Sequence, residues 1–273
     1  MLRDAIYNVS ELRNDVHPNL QIWPSLGLLE ARLWESEQAR NVVLIHDPIP
    51  LRRQVGFDAI STHWASKNAK RVSPLIMVHS DDALRATERL LPKHTITKAL
   101  HPIKTAQNMG EKSPEPLVVV AGQYKPERNL EILAAIGPHL RAKGIRAQIL
   151  GRGWPDGIPG WTVSDKFVAE DDLDAILAAA WCVLLPYDLY FQSGIAIRAL
   201  ENGTLTVTPR TSFGEDLLGL NSPSIIDDKR SPRDTISAIE YTLDHRGTAG
   251  EHFTRYRDLT DQSWRRALLS ISD

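Results

Sequence analysis

A serine and a glycine at the start of a helix give this sequence its clearest indication of chemistry. Ser193-Gly194 precede the apolar helical run Ile195 to Leu200 and follow a buried strand that ends at Pro186. The first turn of a helix has backbone N–H groups without helical partners and about half a positive charge. Because glycine lets an anion approach this backbone closely, the segment predicts a phosphate site, with Gln192 beside it. An ordinary helix N-cap explains the same residues.

A second loop brings positive charge to the end of another strand. The strand Leu117 to Ala121 runs into Gly122, and Lys125 and Arg128 follow before the next helix. Arginine holds a phosphate through two N–H groups, whereas lysine acts as a point charge. The loop therefore predicts a contact with a diphosphate, although a solvated loop at a helix start is the alternative interpretation.

Two further strand ends carry candidate residues. His46 follows the buried strand Asn41 to Ile45, where a neutral imidazole could bind a sugar hydroxyl or transfer a proton, or could be purely structural. Gly151-x-Gly153 follows another strand, but no helix opens directly after it. The pattern of dinucleotide-binding proteins is therefore incomplete, which disfavours NAD. The other histidines are dispersed along the chain and indicate no metal site.

Strands and helices alternate in two series. The predicted strands span 41–45, 75–78, 117–121, 147–150, 181–185 and 204–208, and the predicted helices 24–38, 59–69, 81–91, 129–143, 171–180, 195–200, 233–245 and 252–270. Strands that are apolar throughout are typical of parallel sheets covered on both faces. This predicts an α/β fold with two Rossmann-like domains facing across a cleft, and ligands beyond the carboxyl ends of the strands. Because no convincing strand precedes Asn41, the first domain is expected to be shortened.

Proline and glycine interrupt the pattern between His101 and Pro116, which sets the domain boundaries. We expect an acceptor-side domain at 1–104, a linker at 105–116 and a donor-binding domain at 117–250. A C-terminal helix at 251–273 is expected to pack back toward the first domain.

The composition narrows the class of protein. The chain has 273 residues, 42% of them hydrophobic and 24% charged, as in a soluble globular protein. A net charge of −2 gives no basic field that would favour nucleic acid. One cysteine, Cys182, excludes disulfides within the chain and suits the cytoplasm. No apolar run is long enough to span a bilayer, and no signal peptide is visible, while peripheral contact with a membrane stays open.

Several segments together resemble a known family in their order and spacing. They are similar to the retaining glycosyltransferases with the GT-B fold, glycosyltransferase family 4 or group 1, from Val42 to Val207. The segments are Ile45-His46-Asp47-Pro48, Val78-His79-Ser80, His101-Pro102, Leu117 to Leu130 (LVVVAGQYKPERNL), Leu184-Leu185-Pro186-Tyr187, Gln192-Ser193-Gly194 and Gly203.

The resemblance implies a function and a set of site residues. The donor would be a UDP- or GDP-sugar, and the sugar would pass with retention to a glycan, lipid-linked or small-molecule acceptor. His46 would contact the transferred sugar or the acceptor. No cofactor and no metal ion would be strictly required. The diphosphate would lie on Gly122, Lys125, Arg128, Gln192, Ser193 and Gly194, and the nucleotide base near Gly151, Gly153 and Phe167.

Three positions depart from the family pattern. Gln123 stands where the family usually has an arginine, and Tyr190 and Arg198 stand where it has two glutamates eight residues apart. The second glutamate normally binds the ribose, which Arg198 cannot do. The main hypothesis is therefore an active glycosyltransferase. The alternatives are a non-catalytic binding or scaffold subunit of a glycan-assembly complex and, less favoured, another enzyme such as a sugar-nucleotide epimerase.

Overall fold

The chain forms two compact units. The computed structural model describes residues 19–22, 25–37, 41–50, 53–67, 72–108 and 110–272. The first unit comprises Met1–Pro102 and Asp258–Asp273, and the second comprises Ile103–Arg257. Within the described residues, each unit contains one parallel β-sheet, of four and six strands respectively. The predicted α/β class with two Rossmann-like units is therefore confirmed.

The sheet of the first unit has the strand order β1-β2-β3-β4. Its strands are β1 (Asn19–Gln21), β2 (Asn41–Leu44), β3 (Leu75–Val78) and β4 (Ile96–Lys98), and its helices are α1 (Glu30–Leu33), α2 (Ala59–Ser66) and α3 (Asp81–Leu90). A 3₁₀ turn at Gly27–Leu29 precedes α1. The core joins Val42, Leu44 and Met77 to Trp264 of the last helix. The Trp264 indole also donates to the Leu100 carbonyl at 2.9 Å, which fixes that helix against the unit.

Two expectations about the start of the chain are wrong. A strand does precede Asn41, because β1 pairs in parallel with β2, and the Asn19 amide donates to the Asn41 side chain at 3.1 Å. The continuous helix predicted for 24–38 is reduced to a 3₁₀ turn and the four residues of α1, while positions 24 and 38 lie outside the described residues. The physical reason is a close chain crossing, since a Cβ on Gly56 would lie 1.7 Å from the Leu26 carbonyl oxygen.

The sheet of the second unit has the order β10-β9-β8-β5-β6-β7. Its strands are β5 (Leu117–Ala121), β6 (Arg146–Leu150), β7 (Thr162–Ser164), β8 (Cys182–Leu184), β9 (Thr206–Pro209) and β10 (Ile225–Ile226). Its helices are α4 (Leu130–Ala142), α5 (Glu170–Ala179), α6 (Gly194–Glu201), α7 (Ser212–Leu218) and α8 (Pro232–Asp244), and α9 (Ala249–Ser272) ends the chain. β5 and β8 are neighbours, which brings the loops after them together at one edge of the sheet.

The segment at 105–116 lies in the second unit and is held to it by hydrogen bonds. The Asn108 amide donates to the Glu201 carbonyl at 2.7 Å, and the Lys112 ammonium donates to the Ala180 carbonyl at 2.9 Å and to the Thr204 hydroxyl at 2.5 Å. Burial lowers the pKa of Lys112 to about 8. Of the helices in the described ranges, none combines the length and apolar character that crossing a membrane requires.

Candidate functional site

The loop after β5 is built on glycines that allow two loops to touch. Gly122 has φ +101° and Gly151 has φ +134°, and the Gly122 amide donates to the Leu150 carbonyl at 2.9 Å. A Cβ on Gly151 would lie 2.4 Å from the Gly122 carbonyl oxygen, so a side chain has no room there. The structure therefore brings together the ends of β5 and β6, with Gln123 exposed and Lys125 half-buried in the same loop.

Arg128 is buried between two aromatic rings. Its guanidinium carbon lies 5.0 Å from the centre of the Trp154 ring and 4.9 Å from that of Tyr187. Nη2 donates to the Ala121 carbonyl at 2.8 Å and to the Tyr187 hydroxyl at 3.0 Å. Burial lowers the pKa of the guanidinium. Arg128 is therefore a fixed cation with a structural role, whatever ligand it also contacts.

The Arg128 guanidinium also reaches the loop glycine. A Cβ on Gly122 would lie 2.7 Å from Nη2 of Arg128 and 3.8 Å from Cγ1 of Ile195, the second residue of α6. The buried Nε of Arg128 has no hydrogen-bond partner among the described residues. The β5 loop, the buried cation and the start of α6 thus adjoin one another.

The start of α6 is capped and open. The Ser193 hydroxyl accepts from the Ala196 amide at 3.3 Å, so the N-cap interpretation holds for this side chain. Gly194 is exposed, and no other atom lies within 4 Å of a Cβ built on it. Oε1 of Gln192 is buried and, in the described part of the chain, has no hydrogen-bond partner. This helix start has the space and the dipole to accept an anion.

The two positions that depart from the acidic pair have structural roles. Tyr190 is 4% exposed, and its hydroxyl bonds to the Thr208 hydroxyl and accepts from the Thr211 hydroxyl at 2.9 Å. Arg198 donates through Nε to Asp174 at 2.6 Å and also pairs with Glu170, which ties α6 to α5. The hydrogen bond from Arg198 lowers the pKa of Asp174, and the same contacts raise the pKa of Arg198. Neither side chain is available to replace a glutamate that binds ribose.

The residues predicted to line a base pocket lie at the end of β6 and beyond β7. The Gly153 amide donates to Asp165 at 2.5 Å, and the Trp154 indole donates to the Gly122 carbonyl at 2.9 Å. Phe167 is 65% exposed, with the Arg152 guanidinium 5.6 Å from its ring centre. An exposed ring beside a cation offers a surface on which a nucleotide base could stack.

His46 lies at the carboxyl end of β2 in the first unit. Its Nε2 donates to the Ile22 carbonyl at 3.0 Å, and its ring centre is 5.3 Å from that of His79, which is 5.1 Å from that of His101. Sequence distance hid this row, since the three histidines end three adjacent strands. Burial lowers the pKa of each, that of His101 to about 4. No three or more His, Cys, Asp or Glu side chains of the described residues are grouped as a metal site would need.

Comparison with solved structures identifies the fold class. No protein-family model matches the sequence, and no curated protein matches it. The chain is similar to TarM, with a TM-score of 0.69 and 12% identity over 98% of this chain and 57% of TarM. A complex of S. aureus TarM with Fondaparinux, alpha-GlcNAc-glycerol and UDP gives a TM-score of 0.64 at 13% identity, over 86% of this chain and 50% of that one.

The third comparison is a UDP-forming alpha,alpha-trehalose-phosphate synthase from Burkholderia xenovorans in complex with glucose-6-phosphate. Its TM-score is 0.65 at 10% identity, over 99% of this chain and 76% of the synthase. These proteins are GT-B glycosyltransferases, and this chain has their fold. It spans little more than half the length of TarM.

Proposed function

We propose that this chain is a glycosyltransferase that binds the diphosphate of a UDP- or GDP-sugar on its second unit. The observation that supports this most directly is the open start of α6 beside a buried cation. Gly194 faces open space, and its neighbour Ile195 adjoins Gly122 and the Arg128 guanidinium. A diphosphate at this point would meet backbone N–H groups, a helix dipole and a fixed positive charge.

Each site residue has a proposed role. The backbone at Ser193 and Gly194 donates to the distal phosphate, and Lys125 and Arg128 neutralise the diphosphate. The Gln192 Oε1, which has no hydrogen-bond partner among the described residues, accepts from a hydroxyl of the donor sugar. Gly151 and Gly153 leave room for the nucleoside, and Phe167 stacks on the base. His46 contacts the transferred sugar or the acceptor from the first unit.

The proposed reaction transfers the sugar with retention. The bond between the anomeric carbon and the diphosphate oxygen breaks, and its electron pair leaves with the nucleoside diphosphate. An acceptor hydroxyl oxygen bonds to the anomeric carbon, and its proton passes to the departing phosphate. Fixed donors and cations where negative charge develops lower the barrier of such a step. Because Lys125 and Arg128 supply that charge, the proposal includes no cofactor or metal ion.

Similar structures support the classes of donor and acceptor. One was solved with UDP and alpha-GlcNAc-glycerol, and another is a UDP-forming synthase solved with glucose-6-phosphate. A nucleotide-sugar donor and a carbohydrate acceptor are therefore the first candidates. A cytoplasmic setting is proposed from the single buried cysteine, Cys182.

A thermal-shift series with UDP, GDP and their sugar conjugates tests the proposal. Ligand at 100-fold excess over its dissociation constant stabilises the folded state by about 2.7 kcal/mol. Gly194→Val fills the open space at the helix start and should abolish the shift while leaving the protein folded. The matched control is Gly247→Val, because a Cβ on Gly247 also meets no atom within 4 Å. Absence of any shift across the panel would overturn the proposal.

A non-catalytic binding or scaffold subunit is the second candidate function. It is favoured by Tyr190 and Arg198, which are engaged in structural hydrogen bonds and ion pairs. This candidate gives donor binding without turnover, or no donor binding at all. Release of free nucleoside diphosphate from a nucleotide sugar, lost in Gly194→Val and retained in Gly247→Val, would exclude it.

A further inference from the structure

Large apolar side chains are concentrated on one surface of the first unit. Of the ten exposed large hydrophobic residues in the described ranges, six lie between positions 26 and 64. Those that make up the exposed apolar patch, as it is called below, are Leu26 (39% exposed), Leu33 (60%), Val55 (65%), Ile60 (71%) and Trp64 (55%). Clusters of this kind are uncommon on soluble proteins and mark sites of interaction.

The patch belongs to one local layer of the fold. The Leu28 amide donates to the Gly56 carbonyl at 3.1 Å, and a Cβ on Gly27 would lie 2.9 Å from the Val55 carbonyl oxygen. The Arg32 guanidinium donates to the carbonyls of Trp64 and Lys67 at 3.4 and 3.2 Å. Residues 26–33 are therefore held against residues 55–67, and their exposed side chains share one region.

Helix α2 turns its apolar side chains outward. It buries the small residues Ser61 and Ala65, while Ile60 and Trp64, one turn apart, are exposed. This is the reverse of the usual arrangement, in which the large apolar side chains of a helix face the core. Nothing in the packing of the first unit requires a tryptophan at position 64.

The charge around the patch is positive. Arg53 and Lys67 are exposed, and the Lys67 ammonium lies 5.7 Å from the centre of the Trp64 ring. Between positions 52 and 71 the sequence has five basic residues and one acidic residue, in a chain whose net charge is −2. Tryptophan and apolar side chains edged by lysine and arginine suit the interface of an anionic bilayer.

We propose that the exposed apolar patch binds the surface of a membrane that contains anionic lipid. Ile60 and Trp64 enter the boundary between headgroups and acyl chains, and Arg53 and Lys67 contact lipid phosphates. A second copy of the chain fits less well, because a two-fold interface on this patch would set like charges against each other. The inference does not depend on the proposed donor site, which lies in the second unit.

Co-sedimentation of the full chain with vesicles tests the inference. The chain should bind vesicles of phosphatidylglycerol but not of phosphatidylcholine, and high salt should weaken the binding. Trp64→Glu should reduce binding by about tenfold or more, because it replaces an inserted ring with a charge. Ile60→Glu is the second variant, and Leu220→Glu is the matched control, since Leu220 is an exposed apolar residue of the second unit (69%).

Three outcomes would overturn the inference. They are no binding to phosphatidylglycerol vesicles, equal loss in Leu220→Glu and Trp64→Glu, or a dimer in light scattering that Trp64→Glu dissociates. Thermal shifts with UDP, measured on the same variants, keep this result separate from donor binding, because Trp64→Glu should leave those shifts unchanged.

Discussion

The Tyr187 hydroxyl accepts a hydrogen bond of 3.0 Å from Nη2 of Arg128, while the Tyr187 ring lies 4.9 Å from the same guanidinium. The two residues also form an antiparallel β-bridge through their backbones. One tyrosine therefore fixes both the position and the orientation of a buried cation. The contact joins the loop after β5 to the segment after β8, so it supports the candidate site and the fold of the second unit at once.

Tyr187→Phe should destabilise the second unit modestly. It removes the hydroxyl but keeps the ring, and Nη2 of Arg128 keeps its hydrogen bond to the Ala121 carbonyl. Loss of one buried hydrogen bond to a charged group costs about 1.5 to 3 kcal/mol. Urea unfolding measures the change. Tyr241→Phe is the control, because the half-buried Tyr241 ring stacks on His245 at 3.9 Å and holds no buried arginine. Equal losses in the two variants would contradict a specific role for Tyr187.

Alanine at two glycines of the candidate site should have opposite effects on stability. Gly122→Ala forces a side chain into φ +101° and to 2.7 Å from the Arg128 guanidinium, so we expect a loss of roughly 2 kcal/mol or more. Gly194→Ala meets no atom within 4 Å and should change the free energy of unfolding by less than about 1 kcal/mol. Both values come from urea unfolding without ligand. Similar costs at the two positions would show that Gly194 is also needed by the fold.

Much of the fold could be predicted because its central strands are strongly apolar. Runs such as Leu117–Ala121 are buried at every residue, and they mark a parallel sheet whatever surrounds them. The strands that sequence reasoning missed have two or three residues and lie at or near a sheet edge, where one-sided pairing needs little apolar sequence. They are β1, β4, β7 and β10. Helix α7 was missed because Gly214 interrupts its pattern.

The candidate site was only partly accessible from the sequence. The glycines and the helix start announce themselves by residue type, since few other residues permit those conformations or that approach. The partners of Arg128 do not, because Tyr187 lies 59 positions away and meets it only through the order of β5 and β8. The contact of His46 with His79 and His101 likewise depends on the neighbouring strands β2, β3 and β4.

Restoring the acidic residue at position 198 should weaken the fold. Arg198→Glu removes the ion pairs to Asp174 and Glu170 and sets a third carboxylate beside them. Because these groups are partly exposed, we expect a loss of about 1 to 2 kcal/mol in urea unfolding. Arg265→Glu reverses a charge on an exposed helix face and should stay within about 0.5 kcal/mol of the parent. A stable Arg198→Glu protein would mean that the ion pairs to α5 contribute little.

The row of buried histidines should make the first unit sensitive to acid. Burial lowers the pKa of His101 from 6.5 to about 4, and lowers those of His46 and His79 as well. A histidine whose pKa is lower in the folded state binds fewer protons there than in the unfolded chain. Its stabilising contribution is therefore complete above pH 6.5 and is lost as the pH falls toward 4.

For His101 alone the shift corresponds to about 3 kcal/mol, at about 1.4 kcal/mol for each pKa unit. Urea unfolding between pH 7.5 and pH 5 should show a falling free energy of unfolding, and His101→Gln, which cannot be protonated, should flatten that slope. The exposed His245, changed to glutamine, should leave the slope as it is. If His101→Gln and the parent lose stability in parallel, carboxylates rather than the buried histidines set the response to acid.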